Sequence, residues 1–226
     1  MSEPARQFKQ PWSIWAHNKL TLYGEPWKDK ENPTKKGNNR PSLKYKVWEN
    51  NPRFNVYMNN GLSNKTIPFA LDTYIAYALF ELVQVIANDT ERKATRYAFE
   101  LKSKRDHKGN VYDKPTSVAK IYIGRDNEGV MYICFHAKGE DIAKFPFEDS
   151  YWASLTDSSG EACKKDFLSE LRAKAWANAL RELTSVYTVV FGKEKVIQGG
   201  NDKKTGSWNK SKPEETDDEF GEDVEF

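Results

Sequence analysis

Cysteine is nearly absent from this chain. There are two, Cys134 in an apolar strand pattern and Cys163 in a polar stretch, and they do not cluster. That argues against a disulfide scaffold and for a reducing compartment. Histidine is almost as scarce. His17, His107 and His136 lie far apart, with no cysteine or carboxylate at zinc-ligand spacing. No GxxxxGK[ST] loop, GxSxG elbow or HExxH helix is present. Asp106, Asp126 and Asp149 could in principle serve a metal-dependent nuclease, but each falls where a turn or helix cap accounts for it. No catalytic residue, metal site or cofactor is therefore expected. No apolar run approaches the length of a membrane span, and the opening MSEPARQFKQ lacks the apolar core of a signal peptide. An intracellular, cytoplasmic protein without membrane contact is expected.

Charge is present but unevenly placed. Residues 214–226 hold eight acids and no Lys or Arg. Without them, residues 1–213 carry 35 basic against 25 acidic side chains, a net charge of +10. A basic body with an acidic tail points to a polyanionic partner and a tail that imitates it, or to a tail that only aids solubility. Aromatics are abundant, with seven Trp, eleven Tyr and twelve Phe, enough to line a surface as well as a core.

The chain reads as a flexible arm (1–10), a folded region (11–192), a Gly/Lys/Ser-rich linker (193–213) and the acidic tail (214–226). Within the folded region an extended segment, Trp12 to Tyr23, precedes a long loop rich in Pro, Gly, Asn and Lys. SLKYKVW (42–48) alternates Leu43, Tyr45 and Val47 against Lys44, Lys46 and Trp48. RFNVYM (53–58) alternates Phe54, Val56 and Met58 against Arg53, Asn55 and Tyr57. KTIPF (65–69) is a short strand, and residues 71–89 have helical spacing with Asp72 as a candidate cap.

Residues 95–192 repeat this order, the first half being about 11–90. Strands are expected at 96–104, 117–124, 130–137 and 143–147, with a polar loop between the first two and a long helix from 164. Lys46-Val47 matches Lys120-Ile121, and Ile67-Pro68-Phe69 matches Phe145-Pro146-Phe147. The expected fold is α+β: two repeats of four antiparallel strands followed by a helix, which leaves one face of each sheet uncovered.

That polar face collects Lys44, Lys46, Trp48, Arg53, Tyr57, Lys102, Lys104, Lys120, Tyr122 and Tyr132. Cations neutralise phosphates and rings stack on unpaired bases, whichever base it is. Taken singly, each residue is better read as an ordinary solubilising charge or cross-strand pair. As a set they predict a single-stranded DNA surface. Lys28, Lys30, Lys35, Lys36 and Arg40 in the long loop could close over a bound strand.

The tail ends Asp217, Asp218, Glu219, Phe220, Gly221, Glu222, Asp223, Val224, Glu225, Phe226. A terminal ring beside acids suits an apolar pocket with a basic rim. This segment resembles the acidic, Phe-ending C-termini of bacterial and bacteriophage single-stranded DNA-binding proteins. The resemblance implies a role in replication, recombination or repair. It also implies recruitment of replication proteins (polymerase, helicase or primase) by the tail, and for a phage-encoded chain the host cytoplasm. The strand–helix repeat resembles the Whirly and transcriptional-coactivator family of single-stranded DNA-binding folds, and the tail family implies an OB-fold barrel as the alternative. The expected function is a sequence-independent single-stranded DNA binder, not an enzyme. The alternatives are a DNA-mimicking inhibitor and a nuclease or annealing factor. Exposed sheet edges also allow a homo-oligomer.

Overall fold

The computed structural model describes residues 13–27, 39–48, 51–59, 65–148 and 154–186. The arm, most of the long loop, Asp149, the linker and the acidic tail lie outside them. The described residues all belong to the unit Met1–Gly192.

The fold is α+β. β1 (Ser13–Trp15) and β2 (Leu22–Tyr23) lie along one edge of β3 (Ser42–Trp48), joined by a 3-10 turn at Asn18–Leu20. β4 (Asn51–Tyr57) and β5 (Thr66–Ala70) complete a first antiparallel sheet four strands wide. Helix α1 (Thr73–Ala87) follows. The second sheet is the meander β6 (Thr95–Arg105), β7 (Val111–Arg125), β8 (Met131–Ala137) and β9 (Ala143–Pro146), followed by α2 (Lys165–Ser185).

The alternation read from the sequence sets the inner faces. Leu43, Tyr45, Val47, Phe54, Val56 and Met58 are buried in the first sheet, and Ala119, Ile121, Ile123, Met131, Ile133 and Phe135 in the second. The two faces share one core. Phe135 lies 5.2 Å from Phe54 and 4.9 Å from Phe69, ring centre to ring centre. Helix α2 packs on β8 of its own sheet, where Ser169 accepts from the Met131 N–H, and also reaches the first sheet. Trp176 stacks on Phe54 at 5.9 Å and donates to the Leu20 carbonyl, and Thr184 meets the Tyr45 hydroxyl at 2.5 Å. Burying rings of this size contributes about 1.5–3 kcal/mol each, so the two repeats stabilise one another.

Two polar clusters also join distant segments. Arg125, at the end of β7, is fully buried. It donates to the Ile86 carbonyl at the end of α1 (2.7 Å) and to Glu170 on α2 (2.9 Å). Arg92 meets the same Glu170 and Asp166. Glu140, in the β8–β9 turn, accepts from Lys65 at the start of β5 and from His107 and Lys108 at the β6–β7 tip.

Two details differ from the sequence reading. The stretch 106–115 is not a loop throughout. β6 and β7 run on as a hairpin around a tight turn, where Asp106 accepts from the Lys108 and Asn110 N–H groups and Gly109 takes φ +90°. Asp126 organises the β7–β8 turn in the same way, through the Glu128 and Val130 N–H groups. Both carboxylates thus serve turns. The second difference concerns the repeat. Pro68 lies opposite Asn55 and Asn55 opposite Lys44, while Pro146 lies opposite Tyr132 and Tyr132 opposite Gly124. If the prolines correspond, Lys44 corresponds to Gly124, and Lys46 does not correspond to Lys120. The displacement is an even number of residues, so the outward parity of both lysines survives it.

Candidate nucleic-acid interface

The outward face of the first sheet brings Lys44, Lys46, Trp48, Arg53 and Tyr57 together. β3, β4 and β5 contain no Asp or Glu. Trp48, 38 % exposed, is overlaid by Lys46 Nζ at 4.5 Å and by the Arg53 guanidinium at 4.8 Å. Lys44 Nζ lies 5.5 Å from the Tyr57 ring centre. These contacts follow from strand register. Lys46 sits directly opposite Arg53 and Lys44 opposite Asn55, so each cation reaches a ring on its own or a neighbouring strand.

The sheet adds residues that the sequence reading did not select. Trp15, 44 % exposed, lies opposite Lys46, whose Nζ is 4.6 Å from its ring centre. Tyr23, 58 % exposed, carries Arg40 at 5.5 Å. In the sequence Arg40 falls in the long loop, and Trp15 and Tyr23 fall in the extended segment Trp12 to Tyr23. The surplus of aromatics was the available signal, but only the pairing with β3 places these two on the face.

Electrostatically the face is strained by like charge. Burial and then the neighbouring Arg53 lower the Lys46 pKa from its ordinary value. Arg53 Nε is shielded and has no hydrogen-bond acceptor among the described residues. Directly opposed like charges are unfavourable, and an anion between them removes that cost.

The second sheet presents a different surface. Lys120 and Tyr122 are half-exposed on its outward face, with Arg96 5.5 Å from the Tyr122 ring centre. Tyr132 shares this face but is only 3 % exposed, so it offers no open ring. Its ring lies against Gly124, where an added Cβ would come within 2.8 Å of the Tyr132 oxygen, and Lys144 covers it at 4.9 Å. Burial pushes the Tyr132 phenol up to about 12. Lys144 is itself near Glu25 (3.7 Å) and Asp126 (4.0 Å). Lys102 and Lys104 stand on the projecting part of the β6–β7 hairpin, exposed and apart from the first-sheet group, with Lys102 3.5 Å from Glu100. Lys28, Lys30, Lys35, Lys36 and the tail residues Asp217–Phe226 lie outside the described residues.

Among the described residues no group of His, Cys, Asp and Glu is arranged to hold a metal ion, and no helix is long and apolar enough to cross a membrane. Comparison of the chain with family models, curated proteins and solved structures finds no match.

Proposed function

We propose that this protein binds single-stranded DNA without sequence preference, and that the outward face of the first sheet is its principal site. The observation that carries the reading is the rack of half-open rings, Trp15, Trp48 and Tyr57, interleaved with Lys44, Lys46 and Arg53 at 4.5–5.5 Å on strands without a carboxylate. Stacking on such rings adds about 1–3 kcal/mol per base, and each cation can neutralise a phosphate. Duplex DNA hides the faces of its bases, so the arrangement favours single strands. Lys120, Tyr122 and the hairpin cations Lys102 and Lys104 extend the basic surface as auxiliary contacts.

Four antiparallel strands followed by a helix, twice, supports a Whirly or coactivator-like arrangement over an OB barrel. In this reading the acidic segment 214–226 competes with DNA for the basic face and docks replication proteins. The test is a titration of Trp emission with oligo(dT) at several salt concentrations, for the full chain and for a chain stopped before Glu214. Quenching, affinity falling steeply with salt, and tighter binding by the shorter chain at low salt are expected. Equal competition by duplex at equal nucleotide concentration overturns the single-strand reading. Equal affinity of the two chains at low salt overturns the competition by the tail.

A further inference from the structure

Three of the four edges that bound the two sheets are guarded. β5 carries Pro68 at its midpoint. β9 is four residues long and ends in Pro146, and its Lys144 carbonyl accepts from the Glu25 N–H at 3.4 Å. The β1–β2 edge is interrupted by the 3-10 turn. Proline removes a ladder donor, and an interruption prevents continuous pairing. β6 has neither protection. It is eleven residues long, and among the described residues no strand pairs with its second edge. From Thr95 to Leu101 it pairs with β7 one to one; register shifts begin only at Leu101/Lys102.

This regular stretch, TRYAFEL, is complementary to its own reverse. Centred on Ala98, an antiparallel copy places Arg96 opposite Glu100, Tyr97 opposite Phe99, Thr95 opposite Leu101, and the small Ala98 opposite itself on the axis. Two Arg–Glu pairs then lie on the outward face and two aromatic pairs on the helix-side face. Moving the centre to Phe99 sets Arg96 against Lys102, and moving it to Tyr97 leaves Glu100 without Arg96. Centring on Ala98 is also the register that uses the whole unbulged segment. The charged partners are at the surface: Arg96 lies over Tyr122, and Glu100 is 3.5 Å from Lys102. On the other face Tyr97 is 49 % exposed and borders a groove with Val85, Glu81 and Asn88 of α1 and its end. The second copy's Phe99 and Tyr97 would cover the exposed Tyr97 and Val85 at the rim of this otherwise mixed polar groove.

We propose that two copies of this chain associate through β6, antiparallel about a two-fold axis at Ala98, to form one continuous eight-stranded sheet. The pairing satisfies the edge N–H and C=O groups of both copies. It brings the Arg96, Lys120 and Tyr122 surfaces of the two copies side by side. It also tethers two first-sheet faces in one particle, which raises avidity for a long polyanion.

Sedimentation velocity of the full chain is expected to give the mass of two chains. Ala98→Cys in a Cys163→Ser background is expected to cross-link to itself under mild oxidation, because residues directly opposed in an antiparallel pair lie within disulfide reach. Arg96→Cys alone is expected not to cross-link. Arg96→Glu and Glu100→Arg should each weaken self-association about tenfold, since each reversal sets like charges opposite one another at two symmetric places. The two together should restore it, which also shows that the single variants fold. A monomer at every accessible concentration overturns the proposal, as does capture of a different extended chain by β6 with no self-association. So does a dimer that fails to cross-link at Ala98, or one whose strength the single reversals leave unchanged. None of these readouts depends on DNA, so failure here is distinguishable from failure of the single-strand reading.

Discussion

Lys46 and Arg53 face each other across β3 and β4, and both cations lie over one indole, Trp48, at 4.5 and 4.8 Å. Two like charges directly opposed cost a few tenths to about 1 kcal/mol. A cation over a ring gains about 0.5–1 kcal/mol at an exposed site. The ring therefore holds in place a charge pair that a phosphate would relieve further. Trp48→Ala and Trp15→Ala are each expected to weaken oligo(dT) binding about tenfold or more, by loss of one stacking platform. Lys46→Ala should lower the slope of log K against log salt by about 0.7, the contribution of one phosphate contact to a single strand. A titration series from low to moderate salt separates the two effects.

Tyr122 and Tyr132 share the outward face of the second sheet but are expected to behave differently. Tyr122→Ala should weaken binding severalfold, as a half-open ring beside Arg96 is lost. Tyr132→Phe should leave binding unchanged, since the ring is buried against Gly124. Burial also holds the Tyr132 phenol near 12, so this tyrosine should stay neutral in an ultraviolet titration carried to about pH 11. Ionisation near pH 10 would contradict its burial.

Breaking the Arg125–Glu170 contact is expected to be among the most damaging single changes. Arg125 is fully buried, and Glu170 is nearly so. Removing one partner leaves the other only partly compensated, Glu170 by Arg92 or Arg125 by the Ile86 carbonyl, so the cost approaches but does not exceed the roughly 3–5 kcal/mol of a fully orphaned buried charge. Arg125→Met also deprives the Ile86 carbonyl at the end of α1 of its donor. Urea unfolding should show the loss as a lower midpoint, with Glu170→Ala less severe because Arg125 retains the backbone carbonyl.

Glu140 should make the fold acid-sensitive. Burial alone would raise its carboxyl pKa, but hydrogen bonds from Lys65, His107 and Lys108 outweigh burial and hold it at about 2. A carboxyl held below its unfolded value stabilises the fold above that value, and the stabilisation is lost as the pH falls. The loss should run from about pH 5 to about pH 2, on the order of 1–2 kcal/mol. Glu140→Gln should lower stability at neutral pH and flatten this acid limb in a thermal-melt series. An unchanged acid limb would show that the cluster contributes nothing.

Much of the fold was legible because each strand has one apolar and one polar face, and period-two alternation reports that directly. Leu43, Tyr45, Val47, Phe54 and Val56 are buried as the pattern requires. The β7 side of the projecting hairpin, from Val111 to Thr116, was not legible. Both faces of that segment are largely exposed, so no apolar period marks it, and only the Asp106 turn shows that β7 begins so early. The site was partly legible for the same reason. Alternation identifies which residues share a face, but it is blind to what covers that face.

Composition and alternation by themselves determined an α+β chain with two sets of four strands and a helix, and a polar face rich in cations and rings. These are local properties, since adjacent side chains on a strand must point to opposite sides. Tertiary structure decided which of those faces remain open. It drew Trp15 and Tyr23 onto the first sheet, laid Tyr132 down on Gly124 beneath Lys144, and bound the two repeats through a shared aromatic core. Those outcomes depend on register and on contacts between residues far apart in the chain, which local alternation does not encode.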